Sequence, residues 1–460
     1  MKLADKAELE RFLEQYPEIE MLELLMPDIN GILRCKRILR REFDSFFGHT
    51  LKAPITTPFL GILGDLYDET NPTLFAGDPD QLLLPVSGTL APVPWVDSPT
   101  AQVLTRFANL DGSPAWPDTS NVLATTLENY RADGLYPVVA TELEFYLLTS
   151  DSDGKPQPLL GKVPGTKRPQ QGIQYCMADD LFDCDDFLDD VRKACELQGV
   201  PLTAMHAEFS PGQWEINTHH VKDPIQACDH AMLLKRIVKG VARKHGFAAT
   251  FMAKPFGDAA GSGLHIHTSV YDSDGNNIFS DPKAEEPPAM SDTLRHAIGG
   301  MSETMAESMA IFAPNANSYR RFKPGVYAPI SPTWGYNHRE VALRIPVSTD
   351  DNRRIEHRVA GADANPYLTM AAVLAGIHYG ISNRCSPGEE TSAGEELASS
   401  DVSLPKRWDA ALNLFRGSAV LPKYLGKQYC EVFADKRQGE CDDFHSRVTD
   451  IDYDWYLRAL

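Results

Sequence analysis

The sequence predicts an α+β fold with a small β-rich domain at residues 1–110 and a larger domain at residues 111–460. Strand-like runs dominate the first part, proline-rich and turn-forming stretches interrupt the pattern near residue 110, and strands and helices mix from there to about residue 380. With 460 residues, 43% hydrophobic and 23% charged, the chain has ordinary globular composition and enough length for a large core.

The first elements in chain order are a short helix and a hairpin. Residues 5–15 have a helical pattern, and strand-like "IEMLELLMPD" and "LRCKRILR" flank the turn "DINGI". The segments "LLLPVSGTLAPVPWVDSP" and "NLDGSPAWPD" then break the pattern, so we place the domain boundary beside them. Beyond it, "DTSNVLATTLENYRADGL" indicates a capped amphipathic helix, and residues 386–405 a polar loop before a helical C-terminal tail.

The charge balance and the cysteines argue against several classes of protein. Because 64 acidic side chains outnumber 44 basic ones, for a net charge of −20, neither nucleic acid nor an anionic membrane is an expected partner. No apolar run approaches the ~18 residues of a membrane span, and the first residues lack a signal-peptide core, so we expect a cytoplasmic protein. The eight cysteines are scattered without a C-x-x-C pair, which predicts reduced, structural thiols.

Paired carboxylates are the first candidate functional residues. Glu142 and Glu144 lie two apart in the strand-like run "YPVVATELEFYLL", which places both on one face of a strand. Such neighbours repel each other unless a cation lies between them. A solvated strand face is the alternative, but the apolar flanking residues indicate a buried strand. Glu208 and Glu215 flank a turn at Pro211 in "HAEFSPGQWEIN" and form a second pair.

Further charged residues point to metal ions and anionic substrates. Glu356 lies in "RRIEHRV" and His265 in "GSGLHIH", and glutamates with one histidine suit Mg²⁺ or Mn²⁺ rather than Zn²⁺. Guanidinium groups match carboxylate and phosphate oxygens, so an arginine cluster near such a site indicates phosphoryl transfer, with structural salt bridges as the alternative. The cluster consists of Arg320, Arg321, Arg339, Arg344, Arg353, Arg354 and Arg358.

Taken in order, six strings resemble motifs of the glutamine synthetase superfamily over nearly the whole chain. They are "ELEFYL", "EFSPGQWEIN", "KPFGDAAGSGLHIHTS", "NSYRRFKPG", "NHREVALRIP" and "RIEHRVAGADANPY". The resemblance implies an N-terminal β-grasp domain and a catalytic domain with a curved antiparallel sheet flanked by helices. It also implies a homo-oligomer, a ring of six or two stacked rings making twelve, in which the N-terminal domain completes the neighbouring subunit's active site.

The resemblance carries roles over to individual residues, together with ATP and two or more Mg²⁺ or Mn²⁺ ions per active site. The implied metal ligands are Glu144, Glu208 and Glu215 on the glutamate side, and Glu142, His265 and Glu356 at the ATP phosphates. Gly261, Arg321 and Arg358 match residues at the substrate glutamate, Arg339 and Arg344 those that stabilise the phosphate, and His267 and Ser269 nucleotide-side positions. A core histidine is the alternative for His267, and the remaining arginines are taken as structural.

The chain departs from true glutamine synthetases at the amine pocket. Its flap segment "KPGVYAPISPTWG" has Tyr327 where those enzymes carry a glutamate that helps to bind and deprotonate ammonium. Their D-G-S-S string has no match in "FLGILGDLYD", and Ala260 replaces an asparagine of many relatives. The departures, with "VAGADANPY", are similar to those of the γ-glutamylpolyamine synthetases. Putrescine is therefore the leading amine, while Trp334 and Tyr336 leave a bulky monoamine open.

The implied reaction is ATP-dependent ligation of the glutamate γ-carboxylate to an amine through a γ-glutamyl phosphate, giving ADP, phosphate and a γ-glutamylamide. Tyr327, Arg339 and Arg344 are its candidate catalytic residues. Two alternatives compete with this reading: an ordinary glutamine synthetase that uses ammonium, and a non-catalytic structural relative. The second would be expected to lack metal ligands, whereas all six matched residues are present. No adenylylation loop matches "GEELASSDVSLP".

Overall fold

The computed structural model describes residues 2–66, 75–172, 174–281, 283, 290–323, 328–392 and 403–460. Helices and two sheets form this part of the chain, which confirms the predicted α+β class. The helices are α1 (Lys6–Gln15), α2 (Phe43–Phe47), α3 (Thr119–Ala132), α4 (Ala178–Asp183), α5 (Asp185–Leu197), α6 (Pro224–Lys244), α7 (Asp292–Phe312), α8 (Pro366–Asn383), α9 (Trp408–Arg416), α10 (Leu421–Leu425), α11 (Lys427–Ser446) and α12 (Asp450–Tyr456).

The strands fall into two sheets. They are β1 (Met21–Pro27), β2 (Leu33–Leu39), β3 (Lys52–Pro54), β4 (Asp80–Pro85), β5 (Ala91–Pro92), β6 (Thr100–Ala108), β7 (Tyr136–Ser150), β8 (Pro156–Pro158), β9 (Leu202–Ala207), β10 (Gln213–Thr218), β11 (Ala248–Thr250), β12 (Leu264–Tyr271), β13 (Trp334–Tyr336), β14 (Leu343–Ile345) and β15 (Ile355–His357). The predicted helical tail before the C-terminus is confirmed by α9 to α12.

The first sheet is built from the N-terminal strands. Its order is β2-β1-β6-β4-β3, with β5 paired to β6. The predicted hairpin is confirmed, since β1 and β2 pair antiparallel, whereas β1 and β6 run parallel. The predicted first helix is also confirmed, and the Asp5 side chain caps it by accepting the Glu8 amide at 2.9 Å. The domain boundary near residue 110 falls between β6 and α3 and stays a prediction.

The second sheet is rich in antiparallel pairs and holds the paired carboxylates. Its order is β13-β14-β15-β12-β7-β10-β9, and β8 and β11 also pair with β7. Along β7, positions 137 to 145 alternate between buried and half-buried side chains. Val139, Leu143 and Phe145 point into the apolar core, so Glu142 and Glu144 share the opposite, more open face.

The core lies between this sheet and long helices. The predicted capped helix is confirmed as α3, where the Asp118 side chain accepts the Ser120 amide at 2.8 Å. Helix α8 is buried along nearly its whole length against α7. A Cβ at Gly300 of α7 would collide with the α8 backbone at Gly376 and Gly380, so the helices can approach closely because these positions are glycines. None of the described helices is long and apolar enough to span a bilayer.

Buried polar contacts connect the N-terminal part of the chain to α11. Arg437, only 1% exposed, donates to Asn30 Oδ1 at 2.5 Å and to the Ile29 carbonyl at 3.0 Å. Glu440 accepts the Ile62 amide at 2.9 Å. The first hairpin turn and the loop at residues 60–66 are therefore held against the C-terminal helices.

Candidate active site

Strand pairing brings the predicted metal-binding residues together on the open face of the second sheet. On one side of β7, β10 places Glu215 directly opposite Glu144. On the other side, β12 places His265 opposite Glu142. Beyond β12, Glu356 of β15 lies opposite His267. Cross-strand neighbours have their Cβ atoms about 5 Å apart, so side chains from four strands converge in one place.

Three groups of side chains have ligand atoms within 4.8 Å of one another: Glu142 with His265 and Glu356, Glu144 with Glu215 and His265, and His206 with Glu208 and Glu215. The first group consists of the residues matched to the ion at the ATP phosphates. The three residues matched to the glutamate-side ion are divided between the other two groups. Glu144 and Glu215 share one group, whereas Glu208 and Glu215 share the other, which also contains His206. We call Glu142, Glu144, Glu208, Glu215, Glu356 and His265 the carboxylate cluster.

His206 is a candidate ligand that the sequence reasoning missed. Its Nε2 lies 3.5 Å from Glu208 Oε1 and 3.9 Å from Glu215 Oε1. The local signal was present, because His206 and Glu208 are two apart at the end of a strand. What brings His206 to the cluster is the pairing of β9 with β10, which sets it opposite Glu215.

In part of the carboxylate cluster the protein supplies too little positive charge for all of the carboxyl groups to ionise. Burial, together with the nearby Glu142, Glu144 and Glu208, raises the pKa of Glu215 to about 9. Burial also raises the pKa of Glu144 despite the neighbouring His265. Carboxylates crowded in this way are stabilised by a cation, and their oxygens with imidazole nitrogen are a donor set that Mg²⁺ or Mn²⁺ accepts. The residues present therefore fit a divalent metal ion.

At the opposite end of the cluster, arginines compensate the negative charge of the carboxylates. Glu356, 1% exposed, accepts from Arg344 Nη1 at 2.7 Å and from Arg358 Nη1. Burial alone would raise the pKa of Glu356, but His267, Arg358 and His265 outweigh burial and lower it to about 2. The Glu142 pKa is likewise held well below its ordinary value, because His267 and His265 outweigh the effect of burial. Glu356 therefore links the cluster to two candidate substrate-binding arginines.

Arg321 and Gly261 are packed against each other beside the cluster. Arg321 is buried and donates to the Val359 carbonyl at 3.0 Å. A Cβ at Gly261 would lie 2.6 Å from Arg321 Cγ and 2.8 Å from the Ala253 carbonyl oxygen. Glycine at this position thus makes room for the arginine as well as for any ligand. Arg339, by contrast, is exposed, and its carbonyl accepts from Arg358 Nε at 3.1 Å.

His267 has a defined orientation next to Glu142. Its Nε2 lies 2.8 Å from Glu142 Oε1, and its Nδ1 accepts from Arg354 Nε at 3.2 Å. Because an arginine nitrogen can only donate, Nδ1 is the acceptor in this contact, and Nε2 is the nitrogen that faces Glu142. Arg354, which the sequence reasoning left as structural, therefore positions His267. The hydroxyl of Ser269, the other nucleotide-side candidate, donates to the Arg353 carbonyl at 2.9 Å.

The predicted amine pocket is only partly within the described residues. Tyr327 lies outside them, as do the last residues of "FLGILGDLYD" and most of "GEELASSDVSLP". Ala260 is described, and its amide donates to Ser210 Oγ at 2.7 Å while its carbonyl accepts from Tyr146 at 2.7 Å. Trp334 is buried and Tyr336 half-buried on β13. The role of Tyr327 stays a prediction.

The chain is similar to known proteins over most of its length. Residues 117–456 match the family model described as glutamine synthetase, catalytic domain. The chain is 40% identical to gamma-glutamylputrescine synthetase of Escherichia coli (strain K12), over 98% of this chain and 94% of that protein. It is 32% identical to glutamate–isopropylamine ligase of Pseudomonas sp, over 84% and 83%. A solved GmaS/ADP complex has the same fold, with a TM-score of 0.82, 24% identity and coverage of 98% and 99%.

Proposed function

This chain belongs to the glutamine synthetase family, and on that premise we propose that it is an ATP-dependent ligase joining the γ-carboxylate of glutamate to an organic amine. The observation that carries the proposal is the pair of relatives named for organic amines, one of them 40% identical over 98% of this chain. The products are ADP, phosphate and a γ-glutamylamide. We further propose that the amine is a diamine of the putrescine type.

The chemistry requires activation of a poor electrophile. A carboxylate resists attack by an amine, so the glutamate γ-carboxylate first takes up the γ-phosphoryl group of ATP to form an acyl phosphate. The amine then attacks the acyl carbon, and phosphate leaves. Both reactants of the first step are anions, so the protein must supply positive charge where they meet.

The carboxylate cluster would hold the divalent ions that the family uses with ATP. When bound, such ions polarise phosphate and carboxylate oxygens and screen the repulsion between anions. In our proposal Glu144, Glu208 and Glu215 serve the glutamate side, with His206 as an additional ligand, and Glu142, His265 and Glu356 serve the phosphate side.

Arginines provide the remaining positive charge. We assign Arg321 and Arg358 to the carboxylates of glutamate, with Gly261 leaving room beside them. Arg339 and Arg344 are assigned to the transferred phosphate. Arg344 and Arg358 are already oriented by their shared contact with Glu356, so little side-chain entropy remains to be lost on binding. His267, held by Arg354, and Ser269 are assigned to the nucleotide side.

The amine enters as a cation and must react as a free base. An alkylammonium has a pKa of about 10.4, so deprotonation at pH 7 costs about 4 to 5 kcal/mol. The segment that carries a glutamate in true glutamine synthetases has Tyr327 here. We propose that Tyr327 contacts the hydrocarbon part of the amine, so that larger amines contribute binding energy that ammonium cannot. We also retain the proposal of a ring of six or twelve subunits with shared active sites.

The experiment is an amine panel. Purified protein with glutamate, Mg²⁺ and ATP is supplied with putrescine, isopropylamine or ammonium, and phosphate release and the mass of the product are measured. The expected result is a γ-glutamyl amide of putrescine with kcat/KM at least tenfold above that for ammonium. In the Tyr327→Ala variant the order of preference among amines should change more than the KM for glutamate. Equal efficiency with ammonium would favour an ordinary glutamine synthetase and overturn the proposed amine.

A further inference from the structure

A second cavity lies away from the carboxylate cluster, where the N-terminal part of the chain meets the helices. Its volume is about 500 Å³, within the range of small-molecule sites. Its walls are the turn at residues 86–89, the end of α3, the start of β7, the turn at residues 198–199 and the beginning of α6. Tyr136 in its wall precedes Glu142 by six residues of β7, which corresponds to about 20 Å. The cavity is therefore separate from the proposed catalytic centre.

The mouth of this cavity is basic, although the protein as a whole has a net charge of −20. Lys2, Arg131 and Lys222 line it and are exposed. Of its two acidic residues, Asp223 caps α6 by accepting the Ile225 amide at 2.9 Å. The other, Asp229, is buried and accepts from Arg106 and from Tyr367. Arg106 neutralises Asp229, so the three cations of the lining face Asp223 and the carboxylate of Glu8, which accepts from Ser87 and from the Gly88 amide beside the cavity.

Helix α6 begins at the same cavity. The helix has 21 residues, and Asp223, Pro224, Ile225 and Gln226 of its first turn line the cavity. A helix N-terminus carries about half a positive charge, but here the Asp223 carboxylate already accepts the Ile225 amide, and Pro224 has no N–H to donate. The exposed lysine and arginine side chains therefore supply most of the positive charge for a ligand.

His230 supplies an independent indication that the cavity binds something. It lies on the cavity wall with only 8% of its surface exposed, and it has no hydrogen-bond partner in the described part of the chain. Burial lowers the pKa of His230 to about 4, so its ring is neutral at pH 7 with one donor and one acceptor nitrogen. Neither ring nitrogen is among the sealed polar atoms of the described residues, so the ring is open to the cavity and available to a polar ligand.

We propose that this cavity is a binding site for a small organic anion, a molecule with a phosphate group or with several carboxylates. The anionic oxygens pair with Lys2, Arg131 and Lys222 at the mouth, and a further polar group of the ligand reaches His230. Leu127 and Leu233 of the lining contact the carbon skeleton. The inference is independent of the proposed ligase activity, because it rests on residues outside the carboxylate cluster.

Isothermal titration calorimetry on the full chain tests the site with three probes: inorganic phosphate, glycerol 3-phosphate and citrate. At least one probe is expected to bind with a Kd below about 1 mM at moderate salt. The phosphate ester and citrate distinguish the two kinds of anion, and inorganic phosphate shows whether the phosphate group alone suffices. Failure of all three probes to bind below 1 mM would overturn the proposal.

Variants locate the binding. The double variant Arg131→Ala/Lys222→Ala removes two exposed charges and should weaken the best probe at least tenfold. Arg243→Ala, which removes an exposed charge near the far end of α6, should change the Kd less than twofold. His230→Phe should also weaken binding tenfold, and the double variant decides the question if His230→Phe does not fold. If Arg344→Ala abolishes binding and the double variant does not, the anion binds in the catalytic cleft and the proposal is wrong.

Discussion

Two carboxylates of the cluster should respond in opposite directions when each is replaced by glutamine in the metal-free protein. The Glu215 pKa is about 9, against an ordinary value of 4.5. At pH 7 the unfolded chain has released the Glu215 proton, whereas the folded protein keeps it. Keeping this proton 2.5 pH units above the ordinary pKa, from 4.5 to 7, makes folding less favourable by at most about 3 kcal/mol, at about 1.36 kcal/mol per unit. Glu215→Gln removes this cost, so the free energy of unfolding should rise by about 1–3 kcal/mol at pH 7.

The sign of the pH dependence follows from the same shift. Above pH 4.5 the unfolded chain releases the Glu215 proton that the folded protein retains up to about pH 9. The contribution of Glu215 to stability therefore falls as the pH rises through this window. In Glu215→Gln this part of the slope should be absent, so the difference between variant and wild type should be larger at pH 8 than at pH 5.

Glu356→Gln should lower stability instead. Its carboxylate, with a pKa of about 2, compensates Arg344 and Arg358, which are only 14% and 8% exposed. Removing one partner of a buried ion pair costs about 3–5 kcal/mol, because the remaining charge is left without compensation. The loss should be present throughout pH 5 to 8, since Glu356 is ionised over that whole range.

The assay is urea unfolding followed by circular dichroism, in EDTA and then with Mg²⁺ or Mn²⁺. Glu431→Gln is the matched surface control, because its carboxylate is 60% exposed and only 3.8 Å from Lys427 Nζ. Added metal should stabilise the wild type more than Glu215→Gln. If both cluster variants lose stability equally in EDTA, Glu215 does not lower the stability of the metal-free protein, and the inference is wrong.

Three further predictions concern the reaction and are measured by steady-state kinetics. Gly261→Ala should raise the KM for glutamate at least tenfold, because the new Cβ would lie 2.6 Å from Arg321 Cγ; Gly257→Ala, with open space around it, is the control. Arg354→Ala should raise the KM for ATP about tenfold, because it removes the charge-assisted hydrogen bond that positions His267. Arg320→Ala, which removes an exposed arginine, is the control and should leave this KM unchanged. For putrescine, kcat/KM should rise nearly tenfold per pH unit from pH 7 to 9, as the free base with pKa ~10.4 becomes available. An unchanged KM for glutamate would contradict the role of Gly261, and an unchanged KM for ATP would contradict the role of Arg354. A pH profile that stays flat would contradict the requirement for the free base of the amine.

The sequence alone determined the features that depend on neighbours along the chain. Alternation in "YPVVATELEFYLL" placed Glu142 and Glu144 on one face, because successive side chains of any strand point to opposite faces. The helical pattern at residues 5–15, the capped pattern of "DTSNVLATTLENYRADGL" and the turn "DINGI" likewise predicted the first helix, α3 and the hairpin. The order of six motifs indicated the family, since each motif carries its own residues in a fixed local spacing.

Tertiary structure decided which of these local features meet. Only the pairing of β10 and β12 on either side of β7 puts Glu215 opposite Glu144 and His265 opposite Glu142. The pairing of β9 with β10 added His206, and the cavity at His230 collects residues from positions 2 to 233. Backbone hydrogen bonds between strands are the same for every residue type, so strand order and register follow from how distant apolar faces pack together. That packing was not visible in any one stretch of the sequence.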